Sequence, residues 1–215
     1  MSAKRKIVIA ITGASGSIYA RSLVESLVAA RKREPLALAA VLSSTAPEVW
    51  THELGTDVRA YLGSHDIPVF EGRDYRAPFA SGSARWEAMV VVPCSMSSVA
   101  KIAHGISDDL LSRAADVMLK ERRKLVLVAR ETPLSTIHLE NMLAVARAGG
   151  VVLPATPSFY GRPTTIDEVV ATVIARVLDQ LGVEHGEAKR WGEDVVQSSS
   201  APPRAALPID ERRDR

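Results

Sequence analysis

Short apolar runs alternate with longer amphipathic segments along this chain. The runs that begin at Lys6, Leu36, Ala88 and Lys124 are continuous and aliphatic, which is typical of strands buried on both faces of a parallel sheet. The segments between them place apolar residues at helical spacing. The predicted strands are residues 6–11, 36–42, 68–70, 88–92, 124–129 and 151–153. The predicted helices are residues 15–30, 45–54, a short one within 55–82, 97–103, 108–122, 135–148 and 165–181.

This alternation predicts an α/β fold with a doubly wound, mostly parallel sheet and helices on both faces, a Rossmann-like or flavodoxin-like three-layer arrangement. The chain has 215 residues, 47% of them hydrophobic, which suits one core better than two. We therefore expect a single domain over residues 1–196. Residues 197–215 are rich in Ser, Pro and Ala and lack periodicity, so they are expected to form a disordered C-terminal tail.

Composition excludes several classes of partner and site. The net charge is +2 and no dense block of Lys or Arg is present, which argues against nucleic acid as a partner. No apolar run is long enough to span a bilayer, and the first residues lack the apolar segment of a signal peptide, so a cytoplasmic protein is expected. The five histidines show no metal-ligand spacing, and no metal site is predicted. Cys94, the one cysteine, is interpreted as a packing residue.

Four turns rich in glycine, hydroxyls or charge fall where buried strands end, at residues 12–17, 43–45, 93–98 and 130–133. Ligands of doubly wound sheets bind beyond the carboxyl ends of the strands, so we expect these turns to converge. The first, Thr-Gly-Ala-Ser-Gly-Ser, suits a phosphate or a flavin edge, yet it lacks the GxGxxG and P-loop spacings and equally fits a plain strand-to-helix turn. The serine-rich third turn fits either an anion site or an ordinary helix N-cap.

Charged and phenolic side chains add candidate chemistry. Arg130 and Glu131 follow a buried strand, where an arginine can grip phosphate and a glutamate can transfer protons; a local ion pair is the alternative. Arg113 and Lys120 are seven residues apart and share one helix face, which also fits a solvated surface. Tyr160, in a proline-rich turn, could donate its hydroxyl to a phosphate or cap the core.

The motifs TGASGS, PCSMSS, GISDDLLSRAADVMLKERRKLVLVARETPLSTIHLENML, PATPSFYGRP and ARVLDQLG occur in this order between residues 6 and 192. Together they resemble the UbiX-type flavin prenyltransferases, within the group of homo-oligomeric flavin-containing Cys decarboxylase folds. The resemblance implies an enzyme that joins a dimethylallyl group from dimethylallyl monophosphate to N5 and C6 of reduced FMN. The product, prenylated FMN, would serve a UbiD-type decarboxylase. A homo-oligomer is implied, with a dodecamer as the expected form.

The resemblance also assigns roles to residues. The implied FMN contacts are Gly13, Ala14, Ser15, Ser43, Ser95, Met96, Ser97, Ser98 and Arg130. The implied ligands of the prenyl phosphate are Lys120, Arg130, Tyr160 and Arg176, with Arg113 assisting at the same or a neighbouring subunit's site. The implied catalytic set is Ser15 and Glu131 as a proton relay, Lys120 at the phosphate, and Glu53, which matches another family acid.

Two alternatives to this activity stay open on the sequence. The first is a non-catalytic subunit that carries FMN to an aromatic acid decarboxylase, against which the joint presence of Glu131 and the cations counts. The second is a flavin-dependent cysteine decarboxylase with the same fold. That chemistry uses a histidine after the first helix, and the nearest histidine to that position is His52.

Overall fold

A computed structural model describes residues 4–186, in which six strands alternate with seven α-helices. The strands are β1 (Arg5–Ile11), β2 (Leu36–Leu42), β3 (Val69–Phe70), β4 (Ala88–Cys94), β5 (Lys124–Ala129) and β6 (Val151–Pro154). The helices are α1 (Ser17–Ala30), α2 (Ala46–Leu54), α3 (Val58–Ser64), α4 (Met96–Ala103), α5 (Leu110–Lys120), α6 (Thr136–Arg147) and α7 (Ile166–Leu181). The predicted tail, residues 197–215, lies outside the described residues.

The strands form one sheet in the order β3-β2-β1-β4-β5-β6, and every neighbouring pair is parallel. This is the order of the dinucleotide-binding doubly wound sheet, so the predicted fold class is confirmed. The winding reverses between β1 and β4, which are adjacent in the sheet although α1, β2, α2, α3 and β3 separate them in the chain. The crevice at their carboxyl ends is therefore the expected ligand position.

Two hydrophobic cores cover the two faces of the sheet. Alternate residues of a strand point to opposite faces, so Ile7 and Ile9 of β1 pack with α1 and α7, whereas Val8 and Ala10 pack with α4 and α5. All four side chains are fully buried. The molecule thus has three layers, and the sheet separates α7 from α5.

Capping shortens one predicted helix. Helix α5 begins at Leu110 because the Asp109 side chain accepts from the backbone N–H of Ser112, while the Ser112 side chain completes a capping box. It ends at Lys120, and Arg122 has a positive φ of 54°. The predicted bounds at 108 and 122 were therefore each about half a turn too long.

The segment that follows β3 is packed against the rest of the protein. Two 3-10 turns, Pro78–Ala80 and Gly82–Ala84, follow β3. Phe79 is fully buried, and its ring lies edge-on to those of Phe70 and Trp86, with centroids 5.2 and 5.5 Å away. These aromatic contacts fix the segment to the face of the sheet that carries α5.

Helix α6 has an apolar face that residues 4–186 leave uncovered. Val145 is buried, but Ile137, Leu139 and Leu143 are 67%, 51% and 49% exposed. The helix that the sequence predicts at residues 135–148 is confirmed. Only part of its apolar surface serves the core of this chain.

Candidate functional site

Three of the four predicted turns meet around one cavity at the carboxyl ends of β1, β2 and β4. Its volume is about 340 Å³. Hydroxyl groups dominate the lining, with one lysine and one aspartate at one side. The lining residues are Gly13, Ser43, Ser44, Thr45, Ser95, Ser97, Ser98, Lys101, Asp109, Leu111 and Ser112.

Thr12 joins the first turn to the third. Its buried hydroxyl donates to the carbonyl oxygen of Pro93 at 2.7 Å and accepts from the backbone N–H of Ser95 at 3.0 Å. The hydroxyl also lies 3.3 Å from the N–H of Ala14. Sequence reasoning did not single out Thr12; the available signal was a hydroxyl at the end of a strand that is otherwise apolar.

Gly13 allows the first and second turns to touch. A Cβ at this position would lie 2.0 Å from Oγ1 and 2.7 Å from Cβ of Thr45, so no side chain fits. The same Thr45 hydroxyl lies 3.3 Å from that of Ser43. The glycine therefore sets the shape of the cavity wall through contact within the protein.

The serine-rich turn has both of the roles that the sequence left open. Ser95 is the N-cap of α4, and its side chain accepts from the backbone N–H of Ser98 at 3.4 Å. The Ser95 hydroxyl is also 3.1 Å from those of Ser97 and Ser98, and all three residues line the cavity. Met96, an implied FMN contact, is buried in the core with 6% of its surface exposed.

The N-terminus of α1 binds a carboxylate from the chain itself. Glu53, on α2, accepts from the backbone N–H groups of Gly16 at 3.0 Å and Ser17 at 2.7 Å. Burial raises the pKa of Glu53, but hydrogen bonds from the Ser15 hydroxyl and these amides outweigh it, and the net pKa is lowered. These two amides, which the sequence offered to a phosphate or a flavin edge, therefore hold the carboxylate of Glu53 in this chain.

Arg130 connects the fourth turn to the first. Its Nε donates to the carbonyl oxygen of Ser15 at 2.9 Å, and its backbone N–H donates to that of Cys94 at 3.1 Å. Glu131 is exposed, and its carboxylate accepts from the N–H of Thr132 at 3.0 Å. Within residues 4–186 no ion pair joins Arg130 to Glu131, so the local-pair alternative is not what the structure adopts.

The two cations on α5 bind groups outside the cavity. Arg113 donates through Nε to the carbonyl oxygen of Ala80 at 3.2 Å and pairs with Asp116 at 3.0 Å. Lys120, at the far end of the helix, pairs with Glu121 at 2.7 Å. Eleven residue steps at 1.5 Å each place Lys120 about 16 Å along the helix from the cavity-lining Asp109.

The remaining two implied phosphate ligands lie elsewhere. Arg176 is on α7, 65% of its side chain is exposed, and it pairs with Asp179. Tyr160 is 83% exposed in the turn before α7. Because α5 and α7 cover opposite faces of the sheet, one chain does not bring Lys120 and Arg176 to a common point.

Four residues that line the cavity were missed by sequence reasoning: Lys101, Asp109, Leu111 and Ser112. Lys101 lies 2.8 Å from Asp108 and 3.4 Å from Asp109, and Ser112 completes the corner. Lys101 follows the cap of α4 by six residues, a position that gives no sequence signal for a cavity. Asp109 did carry such a signal, since an N-cap residue that faces the strand ends lies near the ligand crevice.

Other groups take no part in the cavity. Cys94 is fully buried, and burial raises the pKa of its thiol, as expected of a packing residue. In the part of the chain that the structure describes, no three His, Cys, Asp or Glu side chains are grouped as metal ligands. No helix between residues 4 and 186 is both long and apolar enough to cross a membrane.

The cavity residues suit the polar parts of a flavin nucleotide. Hydroxyls can donate to or accept from a flavin edge, a polyol or a phosphate, and Lys101 adds an N–H donor whose charge Asp108 and Asp109 balance. The closure of Gly13 against Thr45 leaves these groups facing one space. The donor set therefore fits FMN.

Comparison with known proteins gives a consistent result. The family model described as Flavoprotein matches residues 1–178. A flavin prenyltransferase UbiX of Alkalihalophilus pseudofirmus is 45% identical over 195 residues, covering 86% of this chain and 95% of that protein. The UbiX of Methanocaldococcus jannaschii is 42% identical over 187 residues, covering 87% and 98%.

Solved structures agree with these relatives. A UbiX crystallised with FMN and dimethylallyl pyrophosphate has a TM-score of 0.81 and 43% identity, covering 88% of this chain and 98% of that one. A dodecameric FMN-dependent UbiX-like decarboxylase from Escherichia coli O157:H7 has a TM-score of 0.80 and 44% identity, covering 86% and 98%. The peptidyl-cysteine decarboxylase EpiD, with a TM-score of 0.56 and 18% identity over 83% of this chain and 99% of that one, shares the fold alone.

Proposed function

The chain belongs to the Flavoprotein family and, within it, to the UbiX-type flavin prenyltransferases, and from this premise we propose how its residues divide the work. The enzyme joins a dimethylallyl group from a dimethylallyl phosphate to reduced FMN. The observation that carries this function is the 42–45% identity to prenyltransferases over almost their whole length. When bound, reduced FMN supplies N5 and C6 as the atoms that accept the prenyl group.

We assign FMN binding to the hydroxyl-lined cavity. Ser43, Ser95, Ser97 and Ser98 offer side-chain hydrogen bonds there, and Gly13 lets the first turn pack against Thr45 to form the wall. Ala14, Ser15 and Met96 shape the turns behind it. Arg130 is fixed by the Ser15 carbonyl next to the first turn, and we assign it to both flavin and phosphate.

The prenyl phosphate is held between subunits. Lys120 and Arg113 on α5 lie on the opposite face of the sheet from Arg176 on α7, and Tyr160 is exposed beyond the strand ends. Arg130 adjoins the first turn of its own chain. A site that uses the whole set therefore takes members from adjacent copies.

The acids hold and move protons around this site. Glu53 stays ionised and fixes the Ser15 hydroxyl, so Ser15 can pass a proton at the turn next to the cavity. To Glu131, exposed beside Arg130, we assign the return of a proton to the departing phosphate. The cations stabilise the charge that develops on that phosphate as its bond to the prenyl carbon breaks.

The assembly is a homo-oligomer, and we propose a dodecamer like that of the Escherichia coli O157:H7 relative. The exposed apolar side chains of α6 support an interface between copies. We further propose that residues 1–196 form one domain, that the protein acts in the cytoplasm, and that a UbiD-type decarboxylase receives the product. The monophosphate donor also stays a proposal.

The test is an anaerobic incubation of the protein with reduced FMN and dimethylallyl phosphate, followed by mass spectrometry of the extracted flavin. A flavin carrying one added five-carbon unit is expected. Unmodified flavin from correctly folded, FMN-loaded protein would refute the activity and favour the carrier role. Incubation of the oxidised protein with a peptide ending in cysteine tests the decarboxylase alternative, for which no loss of CO₂ from the peptide is expected.

A further inference from the structure

The carboxylate of Glu121 lies between two cations at the end of α5. One oxygen accepts from Lys120 Nζ at 2.7 Å, and the other is 3.5 Å from Nη2 of Arg123. The same Arg123 nitrogen donates to the carbonyl oxygen of Gly82 at 2.6 Å. Only 18% of the Arg123 side chain is exposed, so this anchor is held firmly.

Gly82 provides the space that the carboxylate occupies. A Cβ on Gly82 would lie 2.2 Å from Oε1 and 2.5 Å from Cδ of Glu121. The φ of Gly82 is not positive, so space and not backbone conformation makes a side chain unfavourable here. We call this space beside Gly82, which the Glu121 carboxylate fills, the Gly82 notch. It belongs to the segment that Phe79 fixes to the core, which makes the notch a rigid support.

Helix electrostatics do not explain the carboxylate. Glu121 is the C-cap residue of α5, where the negative end of the helix dipole disfavours an acid. The hydrogen bond from Lys120, followed by its charge, lowers the pKa of Glu121, so the side chain is ionised at neutral pH. Its favourable interactions are those with the neighbouring cations, above all Lys120.

We propose that Glu121, seated in the Gly82 notch, is a positioning residue that holds the Lys120 ammonium for the phosphate of the prenyl donor. The inference rests on the proposed role of Lys120 in binding that phosphate. A free lysine side chain loses substantial rotamer entropy when it is fixed on a ligand. A carboxylate that fixes the ammonium beforehand removes part of that loss, and the substrate then binds more tightly.

If the Lys120–Glu121 pair instead hinders phosphate binding, the expected change in substrate affinity has the opposite sign. If Glu121 only competed with the phosphate for Lys120, removing the carboxylate would strengthen substrate binding. The direction of the change therefore separates positioning from competition.

Binding is measured by titrating dimethylallyl phosphate into the full-length protein loaded with oxidised FMN, which prevents turnover. Glu121→Gln and Gly82→Ala should each raise the substrate Kd about three- to tenfold, the size of one modest polar interaction. The Kd for FMN should not change. Gly82→Ala needs to displace only the flexible end of Glu121, so it should fold. Gly63→Ala is the matched control, because nothing lies within 4 Å of a Cβ there.

Lys120→Ala gives the reference that separates the two ideas. On that background, Glu121→Gln should have no further effect, because the two substitutions remove one shared interaction. A raised substrate Kd for Lys120→Ala, with an unchanged Kd for Glu121→Gln and Gly82→Ala, would refute the positioning role of Glu121. It would leave the role of Lys120 intact. An unchanged Kd for Lys120→Ala would overturn the role of Lys120 itself, and the inference with it. A lower Kd for Glu121→Gln would establish competition instead.

Discussion

The cavity edge and the outer helical faces of this protein carry functional residues in different ways. At the cavity, the first turn makes short contacts with its neighbours within one chain. Thr12 bonds to Ser95 of the third turn, and Gly13 packs against the second turn. On the outer faces, Lys120 and Arg176 each pair with an acid close in sequence, and the sheet lies between them. The contacts of the first region lie within one chain, whereas the second region, as we propose, acts as a set where copies meet.

The largest effect is expected from Glu131→Gln, which separates chemistry from flavin binding. The amide keeps the size of the side chain and loses its proton-transfer capacity, so turnover should fall about 10²- to 10⁴-fold. The FMN Kd should stay within about twofold, because Glu131 does not line the cavity. Single-turnover flavin mass spectrometry measures the first quantity, and FMN fluorescence quenching the second. Unchanged turnover would remove Glu131 from the proton relay.

The next largest effect on turnover is expected from substitutions of Lys120 and Arg176, which test whether different subunits supply these two cations. Lys120→Ala and Arg176→Ala should each reduce turnover about tenfold to a hundredfold, the cost of losing one charged hydrogen-bond donor to phosphate. Co-expression of the two variants with different tags should restore activity at about a quarter of the sites, since random pairing leaves both residues intact in that fraction.

The mixed oligomer, purified through both tags, is compared with each variant assembled alone. No recovery above the average of the two separate variants would mean that Lys120 and Arg176 act from the same chain, or not together. This outcome, under either explanation, would contradict the proposed contrast between the two regions.

The sequence predicted the fold and the cavity because both depend on local patterns. Buried strands read as continuous aliphatic runs, and parallel strands bring their carboxyl-end turns together, so residues 12–17 and 93–98 were placed correctly. The binding of Glu53 at the start of α1 was not predictable, since it depends on how α2 packs against α1. Likewise, sequence spacing placed Arg113 and Lys120 on one helix but could not show that the sheet separates them from Arg176.

Helix α6 shows the same limit. Its apolar positions predicted a helix correctly, yet Ile137 and Leu143 face outward in the chain that the structure describes. Periodicity shows that a face is apolar and does not show what covers it. The sequence pattern cannot distinguish core from interface.

A smaller effect is expected from Gly13→Ala, which tests whether the cavity is shaped within one chain. The added Cβ would overlap the Thr45 side chain and force the first and second turns apart. We expect a loss of about 1–3 kcal/mol in unfolding free energy and weaker FMN binding, as for overpacking elsewhere. Denaturation and FMN titration measure the two effects, with Gly63→Ala as the control. Thr45→Gly in the same chain should recover part of both losses, and no recovery would contradict the contact.

The smallest effect is expected from the acid at the start of α1. The pKa of Glu53 is lowered from its ordinary value of 4.5 in the folded protein, so its ionised form adds stability above that value. The contribution is lost as the pH falls through the lowered folded pKa. Because the side chain is exposed, we expect less than about 1 kcal/mol.

Glu53→Gln should therefore lower the melting temperature slightly at pH 7, and the difference from the unaltered protein should shrink below about pH 4.5. Thermal unfolding across this pH range measures it. Glu48→Gln, on the exposed first turn of the same helix, is the matched charge control. A gap for Glu53→Gln that stays constant with pH would mean that packing, and not the charge held by the Gly16 and Ser17 amides, stabilises this turn. In that case the anion-binding character assigned to the start of α1 would have to be withdrawn.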